Sequence, residues 1–200
     1  MTIACDNPDG SATIRVNAPD RLWAKLSYNF AHELGHVLAG SWHADAVPAG
    51  PSHWLEEAVV EAFAIHTLRR MAERWVTAPP YPNWSTYSGC LRKYAEDRLS
   101  ELRHHPLYAT FITDGATWFR GCHDDLAASL AVTEHVWPAI PWLVDRYGEE
   151  EMLVADLSGL NRWPERARLS LNELLDRWEG SAAALRLPAR LPGMLRRQLL

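Results

Sequence analysis

Apolar residues along this chain recur every three to four positions over most of its length and alternate in one place only. The alternation falls over residues 10–17, ending in Ile14-Arg15-Val16-Asn17, and predicts a short strand. The tight turn Asn7-Pro8-Asp9-Gly10 precedes it and makes Ile3–Cys5 its hairpin partner. A helix follows, opened by Ala18-Pro19-Asp20 with a capping carboxylate and closed by Gly40. Leu22, Leu26, Phe30, Leu34, Val37 and Leu38 give it an apolar stripe, the pattern of a face that packs.

After a polar loop from Ser41 to Ser52, the period predicts a second helix over His53–Trp75, closed by Pro79-Pro80. A third covers Trp84–Arg103, its alternating charges marking a solvated face. Residues 124–147 read as helix interrupted by Pro138 and Pro141. Shorter helices are expected over 149–157 and 171–178, and residues 187–200 form a loosely packed tail with two prolines and three arginines. The expected class is α+β, predominantly α, in one domain over 1–200. Its parts are a hairpin (1–19), paired helices (20–75), a C-terminal helical part (84–180) and the tail (187–200).

Composition narrows the function. Apolar residues make up 48% and charged residues 22%, a globular balance. A net charge of −5 with scattered basic residues leaves no footprint for nucleic acid. Three cysteines, Cys5, Cys90 and Cys122, are too few and too far apart for a disulfide scaffold. No apolar run reaches the ~20 residues of a membrane span. The first residues lack the regions of a signal peptide, so a cytoplasmic setting is expected. Ten tryptophans are expected mainly in packing.

Within the first helix stands His32-Glu33-Leu34-Gly35-His36, a His-Glu-x-x-His pattern that arises by chance in roughly 3% of chains of this composition. Residues four apart share a helix face, so both imidazoles can reach one ion. Glu33 lies beside that ion as the candidate catalytic base, and the expected cofactor is zinc (Zn2+). A third ligand is needed. Glu57 and Glu61 share a face of the second helix, so one can ligate while the other bonds a ligand imidazole. Glu56 lies about 100° around that helix. His43 is the alternative metal ligand, although Gly40 and His43 each sit one residue later than metzincin spacing requires.

The motif followed by Pro51-Ser52-His53-Trp54-Leu55-Glu56-Glu57-Ala58-Val59-Val60-Glu61-Ala62-Phe63 resembles the gluzincin zinc metallopeptidases, in particular the peptidase MA-like group. Trp142–Glu150 and Leu171–Trp178 are similar to that family's C-terminal helix pair. The resemblance implies a zincin-like domain with Glu57 as third ligand and Glu61 as its acidic neighbour, with Ala58 where the family carries glycine. It also implies His135 as the catalytic donor that stabilises the oxyanion, at the place where the family often has a tyrosine. Tyr87 and Tyr81, in the Pro-rich connection, are other candidates. About thirty residues precede the motif, enough for two short strands, so either the expected sheet is a reduced N-terminal β element or the chain begins late. The implied activity is hydrolysis of peptide bonds in a peptide or protein substrate. The alternatives are a catalytically degenerate zincin-fold binding or regulatory module, and a helical interaction protein carrying the motif by accident.

Overall fold

A computed structural model describes residues 2–4, 11–16, 22–40, 52–128, 133–162 and 169–200. Asp20 and His43 lie outside the described residues. The fold is predominantly helical. β structure among the described residues is one antiparallel pair, β1 (Thr2–Ala4) and β2 (Thr13–Arg15), with Ile3 opposite Ile14.

The centre of the molecule is α2 (His53–Thr77), in which every residue from Trp54 to His66 is buried. A helix buried on all sides is a core helix, and three neighbours enclose this one: α1 (Trp23–Ala39), α3 (Ser88–Arg103) and α6 (Ala139–Glu149). The face of α1 turned towards α2 is not the predicted Leu/Phe stripe. It is Ala24, Tyr28, Ala31, Gly35 and Ala39, all buried, whereas Leu22, Phe30 and Leu38 are exposed. Small residues let two backbones approach closely. A Cβ at Gly35 would stand 2.9 Å from Val60 Cβ and 3.2 Å from Phe63 Cδ1. The helix begins at Trp23 with Leu22 at its cap position and no side-chain cap bond. The Tyr87 hydroxyl, from a distant element, accepts from the Ala24 N–H at 2.8 Å instead. Gly40 closes α1 as expected, left-handed at φ 80°, where glycine carries no Cβ penalty.

The expected interruption near Pro138 separates α5 (Gly115–Ala128) from α6. Pro138 takes the cap position of α6 and Pro141 its first turn, so neither removes a helical hydrogen bond. α4 (Tyr108–Thr113) and the start of α5 lie outside the helices expected from sequence and supply Phe111 and Trp118 to an aromatic cluster on Trp54.

The tail expected over 187–200 is corrected. After α7 (Leu171–Ala184), residues Arg190–Leu199 form α8, with Leu191, Leu195 and Leu199 buried at four-residue spacing. Its start is held by Asp156, a fully buried carboxylate in the 3₁₀ turn Glu151–Gly159. Asp156 accepts from the backbone N–H groups of Ala189, Arg190 and Leu191. A carboxylate on the free N–H groups of a helix start satisfies both. One cluster of buried apolar residues runs from Ala24 to Leu199. No described helix is long and apolar enough to cross a membrane.

The α1–α2 approach is tested by two substitutions. Gly35→Ala is expected to lower unfolding free energy by ~1–3 kcal/mol through overpacking. Gly121→Ala, at a helical position with nothing within 4 Å, is expected to raise it by ~0.5–1 kcal/mol. Denaturant unfolding of both variants reads the contrast, and equal effects would remove the close approach as the cause.

Candidate metal centre

Packing α1 on α2 faces His32 and His36 with three glutamates of the buried helix. Each imidazole uses its two nitrogens differently. His32 Nδ1 lies 3.0 Å from Glu61 Oε2, and His36 Nδ1 lies 2.7 Å from Glu56 Oε1. The opposite nitrogens, His32 Nε2 and His36 Nε2, point at one another 3.2 Å apart. Glu57 completes the group, with Oε1 3.4 Å from His36 Nε2 and Oε2 3.7 Å from His32 Nε2. His32, His36 and Glu57 form the one cluster of metal-ligating type among the described residues.

The donor set fits a zinc ion. With Nδ1–H donated to a carboxylate, each neutral imidazole presents a bare lone pair at Nε2. Two such lone pairs and a carboxylate then converge with no hydrogen to share between them, an arrangement that only a cation or an added proton relieves. Ligand atoms bonded at ~2.0–2.2 Å to a tetrahedral ion stand ~3.3–3.6 Å apart, close to the separations seen here. All three side chains keep a small solvent exposure, which suits a coordination position open to water.

Behind each imidazole the carboxylate is itself anchored. Glu61 accepts from the Tyr28 hydroxyl and, at 3.1 Å, from Arg98, which lies over the Trp137 ring. Burial pushes the Glu61 carboxyl up, but the His32 and Tyr28 hydrogen bonds and the Arg98 charge outweigh it and hold the group ionised. Burial, reinforced by the Glu61 charge, raises Tyr28, so the phenol keeps the proton it donates. Glu56 accepts at 2.7 Å from the side-chain amide of Asn161, a residue at φ 62° just after the 3₁₀ turn Glu151–Gly159. His36 is pulled both ways: burial lowers its pKa, while the Glu56 hydrogen bond and the charges of Glu56, Glu57 and Glu33 raise it above the ordinary value. Buried carboxylates without such partners would neutralise or destabilise the helix.

Of the residues singled out from sequence, the structure brings together His32, His36, Glu57 and Glu61. Glu33 is buried on the same helix, near enough for its charge to act on His36. His135 stands in the turn before α6, paired at 3.8 Å with Asp125 rather than with the cluster. Tyr87 is occupied at the start of α1, and Tyr81 packs on Trp84.

Sequence reasoning missed Tyr28, Arg98, Asn161, His53 and the use of Glu56. His53 Nε2 lies 3.3 Å from Glu57 Oε1. The one available signal was Tyr28, four residues before His32 and so on its face. A cleft of about 590 Å3 opens beside His32 and Glu61, walled by Tyr28, Tyr94, Arg98 and Lys25.

Comparison of the chain with protein-family models, with curated proteins and with solved structures returns no match.

Two outcomes follow from the anchoring bonds. Glu61→Gln and Asn161→Ala, each removing support for a different imidazole, are expected to weaken zinc binding by ~10–100-fold. Competition against a chromophoric chelator measures this, and unchanged affinity in both would refute the anchoring role. The second concerns pH. Because the folded His36 pKa is raised, its contribution to the metal-free fold is fully present below the unfolded value near ~6.5 and is lost as pH rises through the folded value. Zinc needs the neutral ring, so its stabilisation grows over the same window. Thermal unfolding between about pH 6 and pH 8, with chelator and with zinc, is expected to show opposite slopes that flatten in His36→Gln.

Proposed function

We propose that the chain is a zinc-dependent metallopeptidase with a zincin-like helical domain and a reduced β element, hydrolysing peptide bonds. The single observation supporting this reading most is the division of labour at the two imidazoles. Each Nδ1 is tied to its own buried glutamate, and both Nε2 atoms converge on Glu57.

His32, His36 and Glu57 would hold the ion. Zinc bound there supplies Lewis acidity towards a carbonyl oxygen and lowers the pKa of water. The chain's own contribution is proton handling and orientation. The Glu33 carboxylate takes the proton of the attacking water and returns it to the nitrogen of the leaving amine. Glu61, fixed by Tyr28 and Arg98, and Glu56, fixed by Asn161, keep the rings from turning, so the ligand atoms stay aligned between turnovers. Burial of the carboxylates in α2 lowers the local dielectric and strengthens each of these contacts.

A second reading, a zinc-binding module without catalysis, draws on the sheet: the described β structure is one pair of three-residue strands, which gives a substrate backbone little edge to align on.

Elemental analysis beside an unbiased peptide-library assay separates the two. The peptidase reading expects about one zinc per chain, lost in His36→Ala and Glu57→Ala. Glu33→Gln should retain zinc while hydrolysis falls by ~10²–10⁴-fold. Zinc retained without hydrolysis in the parent chain would favour the module. Hydrolysis surviving in Glu33→Gln would remove that residue from the mechanism.

A further inference from the structure

Trp23 is nine residues before His32, half a rotation around α1 from it, and the surface there has a different character. Trp23, Ser27, Trp75, Asn83, Trp84 and Tyr87 line a pocket of about 350 Å3 that no lysine, arginine, aspartate or glutamate enters. Its rings do not form a flat platform. Trp75 meets Trp84 at 5.8 Å and 43° and Tyr87 at 6.5 Å and 46°, while Tyr81 meets Trp84 at 5.1 Å and 62°. Tilted rings of this kind leave notches between them.

Exposed aromatic side chains stand at its rim. Trp23 is 50% exposed and Trp84 37%, and Tyr81, packed on Trp84, is 59% exposed. Scattered exposure needs no explanation, but a contiguous patch marks a contact surface.

Beside the pocket runs Pro79-Pro80-Tyr81-Pro82, which joins α2 to the 3₁₀ turn Pro82–Tyr87 and exposes Pro80, Tyr81 and Pro82. Proline fixes its own backbone, and Tyr81 is extended (φ −135°, ψ 139°) as a residue before proline should be. A segment already rigid loses little entropy on docking. Pro-x-x-Pro segments are the ligands that aromatic-lined grooves accept, with indole, amide and hydroxyl donors meeting their free carbonyls. The chain therefore carries a receptor pocket and a matching ligand side by side on one face.

An isologous two-fold interface has this composition: the same patch on both copies, with the ridge of each meeting the pocket of the other. A pocket lined without charge also suits self-association, since a charged one would meet its own charge across the axis. Trp23, Trp84 and Tyr81 expose roughly 350 Å2, with Pro80 and Pro82 exposed beside them, near half of the ~800 Å2 per partner of a standard interface. We propose that this face joins two copies of the chain, each placing Pro80-Tyr81-Pro82 in the pocket bordered by Trp23 and Trp84 of the other. The site is separate from the metal centre and does not rest on the peptidase reading.

Sedimentation velocity of the full chain from low- to high-micromolar concentration is expected to show a monomer–dimer equilibrium. Tyr81→Ala removes the ligand and Trp23→Ala damages the pocket, so each is expected to weaken dimerisation at least tenfold. Both positions are exposed, and unchanged circular dichroism and thermal unfolding verify the fold. The decisive arm mixes the two variants. Their heterodimer keeps one intact ridge and one intact pocket that meet, so the mixture should associate more tightly than either variant alone. A chain monomeric throughout, a dimer indifferent to both substitutions, or a mixture no tighter than its parts overturns the proposal. So does a monomer whose pocket binds an added oligoproline or oligosaccharide.

Discussion

Everything at the candidate metal centre depends on how closely α1 lies on α2. The approach is set by a seam of alanine and glycine in which Gly35 leaves no room for a Cβ against Val60. That distance puts two imidazoles of one helix within reach of three carboxylates of the other. A leucine-lined seam would hold helix axes at the wider end of the ordinary 8–10 Å range, and the histidine–glutamate contacts at 2.7–3.7 Å could not close.

The second constraint is electrostatic. A helix with no exposed face between Trp54 and His66 carries Glu56, Glu57 and Glu61 in its interior, and each needs compensation to remain charged. Glu56 and Glu61 find it in an imidazole on one side and a donor on the other, the donors being Asn161 for Glu56 and Tyr28 with Arg98 for Glu61. Glu57 faces His32, His36 and His53. Glu61 and Glu56 thus hold one Nδ1 each, which leaves the two Nε2 atoms facing each other. Fold and site are in this sense one arrangement: the bonds that make buried glutamates tolerable also aim the two Nε2 atoms at Glu57.

Tryptophan divides in the same way. Trp54, Trp118 and Trp178 are fully buried and supply much of the core's volume, while Trp23 and Trp84 remain on the surface beside a proline-rich ridge. Composition alone could not separate packing rings from surface rings.

Much was legible in the residues themselves. Helical period, Gly40 as the stop of α1, and the four-residue spacing of His32 and His36 are local properties, each decided within a turn or two of chain. The same holds for Glu57 and Glu61 on one face of α2. What failed were the inferences about which side of α1 packs and how the end of the chain is held, each of which depends on a neighbour distant in sequence. The Leu22–Phe30–Leu38 stripe read as a packing face because hydrophobicity does not record how near the partner helix comes; close contact selected the alanine and glycine side instead. Residues 187–200 read as a tail because their stabilising partner, Asp156, is more than thirty positions away. Arg98 and Asn161 carried no signal either, since a hydrogen bond spanning 37 or 105 residues leaves no period or motif behind. Sequence by itself determined most of the helices and the shared face of His32 and His36, because those follow from backbone geometry over a few residues. Tertiary structure alone decided which carboxylate serves which imidazole, because that depends on distances between helices that the chain sets only by folding.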